Sequence, residues 1–416
     1  MANKFTSAGT TVTFTTATET STKISYSGGL IASVPGAKSK VTNAIAQAAY
    51  EAIKSSPVII DKPAPGEAKE INNKDLAVLA DIEKINFKLK PGIYAERSDW
   101  RNLKDVSIDG LGKVQFQTGR RAIQLNGMNF SGLTLSGMSF KNIQDYVIDV
   151  WGAGEIAYRP GVEGTFIQGL SLINLTADNC QSLFHINGSV QNGKQMGLIK
   201  DFSIKGGQFV NSSDCNNAIY IGNGMAYDIS GMICDNLNTG VENHTAIFQL
   251  GGNGKLYNNK VTNHQGNAAR AHLHSQEGVQ TVDIFNNIVW NSRKYSAFEV
   301  QFLEVIKENK ALPAKARIYN NTVGRMNTQL DWEGQILDKY STGETVEFFG
   351  NLGFELNYVP DGSKPNITKP LPLGLNMVNM DQSKAKDNNV YVNTWKEGVT
   401  DLTTFKSLFP GVGATL

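Results

Sequence analysis

Asparagine pairs recur along this chain at Asn258-Asn259, Asn286-Asn287, Asn320-Asn321 and Asn388-Asn389. The first two gaps are similar in length and the third is twice the second, with Asn351 of "FFGN" falling inside it. Around them, from about residue 82 to about residue 393, apolar alternations of four to six residues recur, each ended by Gly or Asn. Examples are "KINFKLKPGIY", "FSGLTLSGMSFKNI", "TVDIFNNIVWNS" and "ARIYNNTVGRM". Three short strands and three turns consume about the length of one such gap, so the period is that of a solenoid. The expected fold is all-β, a single-stranded parallel β-helix with rungs stacked at ~4.8 Å. Asn suits the corner of each coil because it tolerates φ > 0, and stacked amides can hydrogen-bond from rung to rung.

Composition removes other classes. Lys plus Arg number 39 and Asp plus Glu 38, a formal charge of +1, which excludes a strongly basic nucleic-acid binder. No apolar run reaches the length of a transmembrane helix. Cys180, Cys215 and Cys234 are too few for a disulfide scaffold, and none forms a C-x-x-C pair. Cys180 and Cys215 each lie five residues before equivalent strand positions, so they are expected to stack, either as core thiols or as a rung-to-rung disulfide.

A second repeated strand carries the candidate chemistry. Its copies are "RAIQLNG" (121–127), "YVIDVWG" (146–152), "LFHINGS" (183–189), "NAIYIGNG" (217–224), "TAIFQLGG" (245–252), "ARAHLHS" (269–275), "AFEVQF" (297–302) and "QLDWEG" (329–334). Alternate residues are apolar and are expected to face inward, which turns their neighbours outward. One outward column then reads Gln124, Asp149, His185, Tyr220, Phe248, His272, Glu299 and Asp331. The next reads Asn126, Trp151, Asn187, Gly222, Leu250, His274, Gln301 and Glu333. In the 245–252 copy the opposite facing, with Gln249 outward, fits equally well. With Arg270 just ahead of the first column, Arg270, His272, His274, Glu299, Gln301, Asp331 and Glu333 form one patch about three rungs tall.

Such a face suits a polymer, and its residue types suit two reactions. Elimination from a uronic acid needs a cation on the substrate carboxylate, a base for the C5 proton and an acid for the leaving oxygen. Arg270 is the candidate cation, His272 or His274 the base and Tyr220 the acid. Hydrolysis needs a carboxylate pair, for which Glu299, Asp331 and Glu333 are the candidates. Asp149, Trp151, His185, Asn187 and Gln301 are candidate substrate contacts, with Trp151 and Tyr220 able to stack on sugar rings. These residues point to no definite cofactor. Ca²⁺ held by Asp149, Glu299 and Asp331, or a metal held by His272, His274 and Glu299, is the alternative. A charged outer face also serves solubility alone, with Glu299 and Asp331 paired to Arg270 and Lys294. His244 and His264 read as turn residues.

The chain resembles the pectate-lyase-like right-handed parallel β-helix superfamily over about residues 82–393. The resemblance rests on "LKPGIY" (89–94), "VSIDGLGKVQF" (106–116) and "IYNNTV" (318–323). It looks most like uncharacterised secreted β-helix proteins of Bacteroidota. That likeness implies a right-handed coil, secretion to the periplasm, cell surface or medium, and a polysaccharide or cell-surface glycan as partner. The lyase is the leading expectation, followed by a glycoside hydrolase and by a non-catalytic glycan-binding or adhesion protein. The chain carries neither the family's calcium triad nor its "NTD" and "DD" aspartate motif.

The expected organisation is a β-rich segment over 1–30, a helical cap and link over 31–81 with its helix at 37–56, the β-helix over 82–393, and a capping segment over 394–416. The proline-rich stretch 358–373 reads as an irregular loop. A monomer is expected.

Overall fold

The computed structural model describes residues 3–7, 10–18, 21–26, 29–35, 67–126, 129–151, 157–158, 166–186, 190–191, 194–196, 198–240, 244–274, 280–303, 314–330, 334–339, 344–356, 389–392 and 402–415. The expected helix at 37–56 and the proline-rich loop at 358–373 lie outside the described residues. The first four strands, Asn3–Ser7, Thr10–Thr18, Ser21–Tyr26 and Gly29–Pro35, pair antiparallel in chain order.

The fold is all-β, and its described residues are dominated by one large parallel sheet of 31 strands. Its strands form ladders in which neighbours are distant in sequence. Gln249 pairs with Arg270, and Glu299 with Asp338, each partner lying on a later strand far along the chain. One ladder runs through Ser98–Lys104, Ile123–Asn126, Tyr146–Trp151, Ser182–Ile186, the first part of Ile219–Ser230, the first part of Ala246–Tyr257, Asn267–His274, Phe298–Leu303 and Leu337–Lys339. A second includes Gln280–Phe285, Ala314–Tyr319 and Glu344–Phe349. A third includes Lys260–His264, Ile288–Ser292, Thr322–Met326 and Leu352–Leu356. The sheet begins ahead of residue 82, since Ala68–Ile71 already pairs with Asn86–Leu89.

Apolar residues of these ladders fill one core. In the first ladder Ile123, Leu125, Ile148, Phe184, Ile186, Ile219, Ile221, Phe248, Leu250, Phe298 and Val300 are buried. Each rung therefore removes several aliphatic or aromatic side chains from water, each worth about 1.5–3 kcal/mol.

The corner asparagines divide two tasks. Asn258, Asn286 and Asn320 take φ of 57°, 54° and 53°, where most side chains are strained. The residue that follows each, with Asn351 and Asn389, turns its amide inside. Asn259, Asn287, Asn321 and Asn351 each donate Nδ2–H to the Oδ1 of the next in that series, at 3.0, 3.0, 3.0 and 2.9 Å. Their backbone N–H groups donate to the same oxygens. The second Nδ2–H bonds a strand carbonyl, Ile229 for Asn259 and Leu256 for Asn287. Buried amides are thus satisfied by one another along the stack.

All three cysteines are free and buried. Burial pushes the Cys180 thiol up to about 11 and the Cys215 thiol up to about 12, which keeps both protonated. At the end of the chain Leu402–Ser407 is a helix. Its Phe405 packs with Leu352, Phe354 and Trp290, and Gly413 N–H donates to the Gly350 carbonyl at 2.9 Å. These contacts lie on the side of the third ladder.

Candidate functional site

Strand register fixes which polar side chains share a column on the first ladder. The outward column reads Asp99, Gln124, Asp149, His185, Tyr220, Gln249, Arg270, Glu299 and Asp338. From Gln124 to Tyr220 the sequence reading gives the same residues. Beyond Tyr220 it needs correction. Phe248 and Leu250 are fully buried and Gln249 faces outward. Arg270, not His272, stands beside Glu299, while His272 pairs with Gln301 and His274 with Leu303. The difference is a slip of two residues. Alternation fixes which way a side chain faces, but the length of chain between paired strands fixes its slot, and the span from Gln249 to Arg270 is short.

The last expected copy, "QLDWEG", is not the next rung. Leu330 ends a turn at φ 55° and is exposed, and Phe298 pairs with Leu337 instead. Asp331, Glu333 and Asn187 lie outside the described residues. Trp151 and His274 are placed on their strands by backbone only.

Two clusters form on this column. In the first, Asp149 is buried and the Nδ1–H of His185 donates to its Oδ1 at 2.9 Å. An imidazole facing a carboxylate carries its proton on that nitrogen, so Nε2 is the basic edge. The ring of His185 stacks on Tyr146 with centroids 4.1 Å apart and leans on Tyr220 at 5.1 Å. Arg121 reaches Asp149 at 3.2 Å and Asp145 at 2.9 Å, with Arg120 also 3.8 Å from Asp145. The two arginines offset the two aspartates, so the cluster presents little net charge. Burial raises the Tyr220 phenol, which keeps it a proton donor near neutral pH.

In the second, Glu299 is fully buried and surrounded by donors. Arg270 Nε lies 2.8 Å from Oε1, His244 Nε2 lies 3.4 Å from Oε2, and Gln301 Nε2–H donates to Oε1. Burial alone would raise its carboxyl, but His244 and Arg270 outweigh that and hold it below the usual range. A carboxylate so held is a poor proton donor, and Arg270 is already committed to it. His244, read from sequence as a turn residue, is the missed member. It stacks on Tyr295 at 3.9 Å and 8°. Nothing in its local sequence signals this, because its partners Tyr295 and Glu299 belong to a much later part of the chain. His272 lies beside Gln249, whose Nε2 is 3.1 Å from its ring nitrogens.

The other expected sites do not assemble as read. Asp149 and Glu299 are five rungs apart, about 24 Å, and cannot share a calcium ion. Glu299 stands opposite Arg270 rather than His272, so the His272, His274 and Glu299 metal set loses its register. Among the described residues no group of three or more His, Cys, Asp or Glu is placed to hold a metal ion. No described helix is long and apolar enough to cross a membrane. His264, the other expected turn residue, ends a strand and is fully buried, which lowers its imidazole to about 4.

No protein-family model matches the chain, and no curated protein matches it.

Proposed function

We infer that the protein is a secreted, right-handed parallel β-helix that acts on an acidic polysaccharide, cleaving it by β-elimination at Asp149, His185 and Tyr220. In this reading the three ladders are the faces of one coil, wound in the hand that parallel connections prefer. The observation that carries the reaction is the His185–Asp149 bond at 2.9 Å with Tyr220 beside the same ring.

The chemistry follows from those positions. The Nε2 of His185 takes the proton from C5 of a uronic acid. The electron pair left behind forms the C4–C5 double bond as the C4–O4 bond breaks. Tyr220, kept protonated by burial, donates to the departing oxygen. Asp149 fixes the tautomer of His185 and stabilises its imidazolium. Arg121 is held by Asp145 and Asp149, so the largely exposed Arg120 is the cation that meets the substrate carboxylate.

Hydrolysis fits less well. Of its candidate carboxylates Glu299 is buried and ion-paired to Arg270, and Asp331 and Glu333 lie outside the described residues, so no carboxylate pair supports it. The same ion pairing favours the second reading, a glycan-binding module without turnover. A panel of acidic polysaccharides with wild type, His185→Ala and Tyr220→Phe separates them. The lyase reading expects unsaturated products from wild type and at least a hundredfold slower release from either variant. Variants within twofold of wild type would refute it.

A further inference from the structure

His185 and Tyr220 leave the same face of the same ladder. They are register partners on adjacent parallel strands, set between the pairs Phe184–Ile219 and Ile186–Ile221. Those four apolar residues are buried, so alternation turns both His185 and Tyr220 outward. The imidazole is packed from the strands on either side. Tyr146 stacks on it with centroids 4.1 Å apart and 19° between planes, and Tyr220 leans on it at 5.1 Å and 31°. Asp149 occupies Nδ1 at 2.9 Å, and the side chain is 20% exposed. What remains open to a ligand is the Nε2 edge, beside the Tyr220 ring.

This packing restricts the stereochemistry of elimination. Anti elimination needs base and acid on opposite faces of the sugar, with the sugar ring between them. Two van der Waals contacts, one on each face of that ring, need about 7 Å. The His185 and Tyr220 rings lie 5.1 Å apart and lean on each other, so no sugar ring passes between them. A sugar laid on the ladder meets both from one side. Nε2 then takes H5, and the Tyr220 O–H meets O4, from the same face of the sugar. H5 and O4 share a face in D-glucuronate and D-mannuronate linked through O4. They lie on opposite faces in D-galacturonate, the C4 epimer of D-glucuronate, and in L-guluronate, the C5 epimer of D-mannuronate.

We propose that the His185–Tyr220 pair performs syn elimination and so selects 4-linked D-glucuronate or D-mannuronate over 4-linked D-galacturonate or L-guluronate. The inference rests on the lyase reading for the reaction and adds the configuration of its substrate. In the step, the C5–H electron pair becomes the C4–C5 double bond as the proton passes to Nε2. The C4–O4 pair leaves with O4, which takes the phenolic proton of Tyr220. His185 then gives its proton to water and Tyr220 regains one, so the site returns to its starting state. All four sugars carry the same C5 carboxylate, so the selection comes from where base and acid stand and not from a cation.

The test is the initial rate of unsaturated-product absorbance with the full chain, as wild type, His185→Ala and Tyr220→Phe, on hyaluronan, polymannuronate, polygalacturonate and polyguluronate. Elimination erases the configuration at C4 and C5, so every polymer gives the same chromophore and is read with equal sensitivity. Hyaluronan or polymannuronate is expected to be cleaved about a hundredfold faster than polygalacturonate or polyguluronate, with the product lost in both variants. Tyr220→Phe keeps the ring against His185, so its loss of rate reads the hydroxyl and not the packing. Polygalacturonate or polyguluronate cleaved as fast as their epimers, with the product lost in His185→Ala, overturns the stereochemical inference and leaves the lyase standing. Product that persists in His185→Ala refutes the lyase at this site, and the inference with it. No product from any of the four polymers refutes both as well.

Discussion

The Nδ1 of His185 sits 2.9 Å from Oδ1 of Asp149, a carboxylate contributed by the neighbouring strand 36 residues earlier. The two side chains meet because Asp149 and His185 are register partners on parallel strands, so the rung spacing sets the reach between them. Asp149 also takes Arg121, and burial keeps both contacts away from competing water.

That pair gives the first prediction. Asp149→Asn keeps the shape of the side chain but places an amide against His185 and removes the charge that stabilises its imidazolium. Turnover is expected to fall about 10- to 100-fold with substrate affinity little changed. Steady-state rates of double-bond formation, compared with the midpoint of thermal unfolding, check it.

The buried amide stack gives the second. Asn321→Ala removes the oxygen that accepts both the backbone N–H and the side-chain N–H of Asn287. On the other side, Asn351 Oδ1 keeps only the backbone N–H of residue 321. Unmet buried donors cost about 1–3 kcal/mol each, so a loss of about 2–4 kcal/mol is expected by urea unfolding. Asn320→Gly, one residue away at φ 53°, is expected to be near neutral because Gly takes that backbone readily.

How much of this was legible in sequence follows from the same residues. The asparagine stack was legible because each corner demands two different backbone states of adjacent residues, and Asn-Asn serves both. The column from Gln124 to Tyr220 was legible because strong apolar neighbours such as Ile148, Val150, Phe184 and Ile186 fix the facing. Past Tyr220, "AIFQLGG" offers apolar residues in both phases, and only three-dimensional register decides that Gln249 faces out. Alternation gives Arg270 and His272 the correct facing but the wrong slot, since it carries no information about the length of chain between paired strands. His244 was out of reach because it owes its place to Glu299 and Tyr295, and the ladder brings Glu299 back only two rungs later.

His264 gives the third prediction. It is fully buried, neither ring nitrogen has a hydrogen-bond partner, and burial lowers it to about 4 from 6.5 despite the nearby Asp235. The unfolded chain therefore binds a proton that the folded chain refuses. Its contribution is fully present above pH 6.5 and is lost as pH falls from 6.5 to about 4, a change on the order of 3 kcal/mol. Glu299, held below its usual range, loses its own contribution in the same direction at lower pH. Unfolding free energies of wild type and His264→Phe across pH 7 to 4 check this, with a flatter slope expected in the variant.

Gly324 gives the fourth. Trp290 lies across it so closely that an added Cβ would stand 2.1 Å from Trp290 Cζ3. Trp290 in turn stacks on Phe354 at 5.5 Å, and Phe405 of the C-terminal helix closes over both. Gly324→Ala is expected to push the indole outward and loosen the C-terminal helix, costing about 1–3 kcal/mol. Tryptophan fluorescence and proteolysis of the C-terminal segment report it.

The most direct test of the account is absorbance near 235 nm while wild-type protein is incubated with polygalacturonate, alginate and hyaluronan, with reducing ends measured in parallel and EDTA in a second arm. The account predicts that absorbance rises with at least one of these polymers, in step with reducing ends, and that the rise vanishes in His185→Ala. Reducing ends without absorbance, or absorbance that persists in His185→Ala, would contradict it.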